Sequence, residues 1–150
     1  QQVPEKLVAQ FGNLIVRERS YHRFVPWYLS FYLAIVDGGS QPVIRNQTLV
    51  IEAIQRLTPA ATLHLLQGAA NLERVLAMMT RFGSVSQLRD PDVSRWSAGD
   101  DAELIYYVRS VELLAGLAKG HGAQNLVNKP WVKSLFPVAS ALQLLLKTTR

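Results

Sequence analysis

A chain of 150 residues, 49% hydrophobic and 18% charged, is one domain's worth of polypeptide with enough apolar side chains for a substantial core. Such a composition excludes a disordered chain, and the absence of cysteine excludes disulfides, thiolate metal sites and cysteine nucleophiles. The net charge of +5 is unevenly spread. No acidic residue follows Glu112, whereas Lys119, Lys129, Lys133, Lys147 and Arg150 do.

Prolines and glycines punctuate the chain. Pro4, Pro42, Pro59 and Pro137 stand where helices are expected to start, since a fixed φ suits the first turn and the missing N–H is not needed there. Gly38-Gly39, Gly83 and Gly120 follow apolar runs, where a left-handed terminating residue is wanted.

In chain order, Leu7, Val8, Phe11, Leu14 and Ile15 form one helical stripe within residues 4–17, with Glu5, Lys6, Gln10, Asn13 and Arg17 off it. Residues 26–36 have almost no polar side, which predicts a helix in the middle of a stack. The apolar run from about Phe24 to Val36 is too short, and too interrupted by Pro26, to span a membrane. A third helix over 42–57 is expected to turn Val43, Val50, Ile54 and Leu57 inward and keep Arg45, Glu52, Gln55 and Arg56 wet. Thr58-Pro59 reads as a cap and first-turn proline for a short helix reaching Gln67, with His64 inside it.

Leu72, Val75, Leu76, Met79 and Phe82 predict a fifth helix ending at Gly83. Residues 84–99 mix serines with Asp90-Pro91-Asp92 and read as a long functional or flexible loop. Asp100 with Glu103 fits a capping box for a helix over 101–119, whose polar positions Arg109, Glu112, Gly116 and Lys119 fall on one narrow line. Lys129-Pro130-Trp131 and Pro137 are expected to start the last helices, the final one carrying Ser140, Gln143 and Lys147 on its polar line. No strand-type alternation of any length occurs. The expected fold is all-α, a single helical domain over residues 1–150 with about seven short antiparallel helices.

Helices that are apolar almost all round, interspersed with one-sided ones and joined by short connections, fit an α-solenoid fragment or a compact bundle. The opening Gln1-Gln2 suggests a processed chain or a piece of a longer array. No repeat of solenoid length aligns by identity. The stretch Val111-Glu112-Leu113-Leu114-Ala115-Gly116-Leu117-Ala118-Lys119-Gly120, with Asn125 shortly after, resembles helix ends of armadillo-type domains. It is also similar to the helical homology domain of inositol trisphosphate and ryanodine receptors. The resemblance implies a helical scaffold and carries over no channel activity and no binding residues.

Candidate chemistry is sparse. His22, His64 and His121 each lack a second histidine or a carboxylate at metal-ligand spacing on the same helix. Asp90, Asp92, Asp100 and Asp101 lack the full pattern of a calcium loop. No phosphate-cradling glycine loop and no nucleophile elbow is present. Asn46-Gln47-Thr48 matches a glycosylation acceptor but falls inside a predicted helix.

The best interaction candidate is the aromatic and basic segment of Arg19, Tyr21, His22, Arg23, Phe24, Trp27, Tyr28, Phe31 and Tyr32. Arginine beside aromatics is what interface hot spots use, and also what single-stranded nucleic acid stacks on. The leading expectation is a non-enzymatic, cytoplasmic helical scaffold without cofactor or metal. It binds a protein partner or further copies of itself through Arg19, Arg23, Trp27, Tyr28 and Trp131. The alternative is a basic module for nucleic acid or an anionic membrane surface, using Lys129, Lys133 and Lys147 with Arg19 and Arg23.

Overall fold

The computed structural model describes residues 3–37, 43–64, 73, 76–77, 100–120 and 123–135. The described residues hold six helices and no strand: α1 (Glu5–Ser20), α2 (Pro26–Val36), α3 (Ile44–Leu57), α4 (Pro59–Thr62), α5 (Asp100–Leu117) and α6 (Ala123–Leu135). Glu73, Leu76 and Ala77 are helical as well, within the predicted fifth helix. The loop at 84–99, the helix after Pro137 with Lys147, and the metal candidates Asp90 and Asp92 lie outside the described residues. So do His121 and the side chains of Asp100, Asp101 and Asn125.

Helix α1 presents Val8 and Ile15 of the predicted stripe to the core, with Gly12 between them. Gly12 permits a close approach: a Cβ there would lie 2.6 Å from Leu57 Cδ1 and 3.1 Å from the Tyr32 hydroxyl. That hydroxyl donates to the Val8 carbonyl at 2.7 Å, pinning α2 to α1 deep in the interior. Burial pushes the Tyr32 phenol well above the usual tyrosine range.

Helices α2 and α5 form the centre, and they pack against each other. Leu29, Tyr32 and Val36 of α2 are buried, and α2 also touches α1 and α3. From α5, Leu104, Ile105, Tyr106, Tyr107, Leu113, Leu114 and Leu117 are buried, and the helix contacts α2, α3 and α6. Burying a side chain of that size contributes about 1.5–3 kcal/mol, and these two helices supply more than half of the buried apolar residues among those described. The polar line of α5 follows the expected strip: Glu112 and Lys119 are exposed.

Three expectations need correction. Helix α4 stops at Thr62, so His64 lies beyond it in an irregular segment. Thr58 makes no side-chain cap; its φ of 72° is strained for a β-branched residue, and its carbonyl instead accepts from the Thr62 hydroxyl at 3.1 Å. Pro130 does not start a helix but sits inside α6. It is exposed, while Asn128, Trp131, Val132 and Leu135 turn inward, so packing along the opposite face carries the helix past a residue with no N–H to give.

The ends of the two central helices meet the first turn of α3. Asn46 and Gln47, each 2% exposed, are buried amides. The Asn46 amide donates to the Ile35 carbonyl near the end of α2 at 2.7 Å. Gln47 Nε2 donates to the carbonyls of Gly116 and Lys119 at the end of α5, at 2.8 and 3.0 Å. Helix ends leave carbonyls without intrahelical partners, and here another helix supplies the donors. Asn46 is thereby closed to glycosylation in the folded chain.

Candidate functional site

The segment between α1 and α2 divides the aromatic and basic residues into an outer and an inner set. Helix α1 ends at Tyr21 in a turn of Schellman type: the His22 N–H donates to Arg19 O at 3.0 Å and the Arg23 N–H to Glu18 O at 2.9 Å. His22 takes the left-handed position, φ 57°, that glycine usually fills. This turn fixes the outer set. The Arg23 guanidinium lies 2.7 Å from Glu18 Oε2 and 5.0 Å from the Tyr21 ring centroid, so one side chain bridges an ion pair and a cation–π contact. Tyr21 is 66% exposed, and Trp27, in the first turn of α2, is 63% exposed. Pro26 starts that turn and is itself buried, which directs the next residue outward.

The inner set is structural. Arg19 turns under the chain and donates from Nη1 to the Leu63 carbonyl at 3.1 Å, with its guanidinium 5.0 Å from the Phe24 ring and 5.4 Å from that of Tyr106. Tyr28 packs edge-on against Phe11, and Phe11 stacks on Phe31 at 3.9 Å. Of the five residues expected to anchor a partner, Arg23 and Trp27 are exposed, Tyr28 and Trp131 are half-buried against the core, and Arg19 is engaged inside the fold. Lys129 and Lys133 are exposed one turn apart on α6.

Beneath Arg19 lies a buried polar cluster that sequence reasoning missed. His64 Nε2 stands 4.0 Å from Glu103 Oε2, both side chains buried. The His64 backbone N–H donates to Ser110 Oγ at 3.0 Å, and Ser110 in turn donates to the Tyr106 carbonyl at 2.8 Å. The Tyr106 hydroxyl donates to the Thr62 carbonyl. Phe24 stacks on the His64 ring at 5.6 Å and Tyr107 meets it edge-on at 5.7 Å. Burial pushes the phenols of Tyr106 and Tyr107 up to about 12, with Arg19 opposing the rise at Tyr106.

Serine, histidine and glutamate in one place invite a nucleophile reading. The bonds argue otherwise, because Ser110 is committed to two backbone groups and touches the His64 main chain rather than its ring. The cluster holds the segment after α4 onto α5. No same-helix spacing rule finds it, since Glu103 lies on α5 and His64 in the irregular segment after α4. Glu103 is buried, with its carboxylate toward the His64 ring. Among the described residues no group of three or more His, Asp or Glu side chains is placed to hold a metal ion. No helix among them is long and apolar enough to cross a membrane. Comparison of the chain with protein-family models, with curated proteins and with solved structures finds no match.

Proposed function

We propose that this chain is a non-enzymatic helical scaffold, and that the corner between α1 and α2 docks a protein partner through Tyr21, Arg23 and Trp27. One observation carries the reading: two large aromatic side chains stand mostly in solvent within six residues of each other, with an arginine already fixed over one of them. Trp, Tyr and Arg dominate binding energy at interfaces, and aromatics held rigid before contact lose little entropy on binding. In this reading the helices form an armadillo-like array in the cytoplasm. The succession of one-sided helices (α1, α3, α6) and helices covered on several sides (α2, α5) supports that arrangement.

The test compares affinity capture from a cell extract by the wild-type chain and by a Tyr21→Ala/Trp27→Ala variant, together with light scattering of each at low and high salt. Both substitutions remove exposed side chains, so folding is expected to be unchanged. A partner or self-association that survives high salt and disappears in the variant supports the reading. Identical capture profiles and identical masses sink it.

A second reading, a basic module for an acidic partner, draws on Lys129 and Lys133, exposed on one face of α6, with Lys119 exposed after α5. Binding of that kind weakens steeply as salt rises. Lys129→Glu/Lys133→Glu abolishes it if phosphate contact is the mode, and leaves the aromatic corner unaffected.

A further inference from the structure

We propose that residues 59–64 form a strap, hinged at Thr58, that swings away from the body of the fold without the rest unfolding. The hinge is strained. Thr58 sits at φ 72° and ψ 136°, close to a region that glycine alone occupies freely. It is β-branched, and Pro59 follows it. Two separate rules therefore place this residue in the extended region, at negative φ, when nothing holds it. The closed strap carries strain that opening releases.

The strap is built to move as one piece. The Ala61 N–H donates to the Thr58 carbonyl at 3.2 Å and the Leu63 N–H to the Pro59 carbonyl at 2.8 Å, and the Thr62 hydroxyl reaches the same two carbonyls. Side chains of the body grip it by its backbone. Arg19 of α1 donates to the carbonyls of Leu63 and Ala60, at 3.1 and 3.5 Å. From α5, the Tyr106 hydroxyl donates to the Thr62 carbonyl, and Ser110 Oγ accepts from the His64 N–H at 3.0 Å. Leu63, 1% exposed, is the one large aliphatic side chain that opening uncovers. The body keeps its own packing meanwhile, because α2 rests on α5 and α1 and α2 rest on α3. Opening also takes both acceptors from Arg19, so its guanidinium, two residues before Tyr21, is held under the chain only while the strap is closed.

The experiment is amide hydrogen exchange of the whole chain, followed in nitrogen–proton correlation spectra with and without a low concentration of guanidinium chloride. After correction for intrinsic rates, the Leu63 and His64 amides are expected to exchange at least about tenfold faster than the slowest amides of α5. Denaturant should barely accelerate them, since the opening exposes little surface. Thr58→Gly removes the strain of the closed hinge and should slow both amides about five- to tenfold, net of the freedom glycine adds to the open strap. Val132→Ala, in the core beneath α6, destabilises the whole fold. It should speed the slow amides of α5 at least about fivefold and leave Leu63 and His64 unchanged. If Leu63 and His64 instead follow α5 in denaturant and in Val132→Ala, the strap opens only with global unfolding and the proposal is overturned. Unchanged exchange of both amides in Thr58→Gly overturns it as well, because Thr58 is then not the hinge.

Discussion

Replacing Gln47 by methionine tests how α5, one of the two central helices, is terminated. The side chain keeps its length and its place in the interior but loses both donors, so the hydrogen bonds to Gly116 O and Lys119 O, at 2.8 and 3.0 Å, disappear together. Each such bond contributes about 1 kcal/mol net, and a buried acceptor left without a donor costs about 1–3 kcal/mol. The two carbonyls differ in what remains to them. Gly116 O keeps a long bond from the Lys119 N–H at 3.4 Å, and Lys119 is an exposed residue whose carbonyl is within reach of water. The expected loss is therefore about 2 kcal/mol, well short of two full desolvation penalties. For a domain of this size it lowers Tm by roughly 4–8 °C. Chemical denaturation followed by circular dichroism at 222 nm reads it as a lower midpoint at unchanged slope. Gln47→Glu should cost more than Gln47→Met, because it sets carboxylate lone pairs against the same carbonyls. A loss below about 0.5 kcal/mol for both variants would refute the argument that Gln47 terminates α5.

Three further outcomes are expected. His22→Gly relieves a left-handed residue, φ 57°, and should stabilise the chain by about 0.5–1 kcal/mol in the same denaturation assay, net of the greater freedom of glycine when unfolded. Pro130→Ala restores a donor inside α6 and should stabilise by about 2 kcal/mol, the helix-interior penalty of proline less its benefit in the unfolded chain. The chain should unfold in alkali. Tyr106 and Tyr107 titrate near 12 when folded against 10.0 when unfolded, so their contribution is whole below pH 10. As pH rises from 10 to 12 the unfolded chain gives up protons that the folded chain keeps, at about 1.4 kcal/mol for each pH step and each phenol. In a Tyr21→Phe/Tyr28→Phe variant, which keeps only the buried phenols of Tyr32, Tyr106 and Tyr107, phenolate absorbance near 295 nm should therefore rise together with loss of helix, and an earlier rise without unfolding would contradict their burial.

The parts of this fold that were legible in the sequence are those set by neighbours a turn or two away. The stripe of α1, the inward Val50 and Ile54 of α3 and the covered character of α2 all follow from apolar spacing, which reports burial directly. What stayed hidden is polar and long-range. Gln47 reads as one more polar residue near the start of a helix until Gly116, 69 positions away, is known to end against it. In the sequence His64 reads as a helix residue and Glu103 as half of a capping box, since nothing local links them. Arg19 and Arg23 look equivalent in the sequence, yet the left-handed step at His22 lies between them and directs one inward and the other out.

The buried amides of α3 suggest why polar groups stand where apolar ones would pack more simply. Apolar stripes on α2, α3 and α5 specify which faces meet, but they tolerate a slide of one turn, about 5.4 Å, along the axis. Hydrogen bonds from adjacent residues to the ends of two different helices do not tolerate it, because each donor then faces a mid-helix carbonyl that is already occupied. Asn46 bears a cost for this role: its Oδ1 is buried with no partner among the described residues, and reversing the amide would set that oxygen against the Ile35 carbonyl instead. A penalty of about 1–3 kcal/mol is thus retained at a buried position. The cost is intelligible if the gain is register, since the bonds from Asn46 and Gln47 fix the ends of α2 and α5, at Val36 and Leu117, against the first turn of α3.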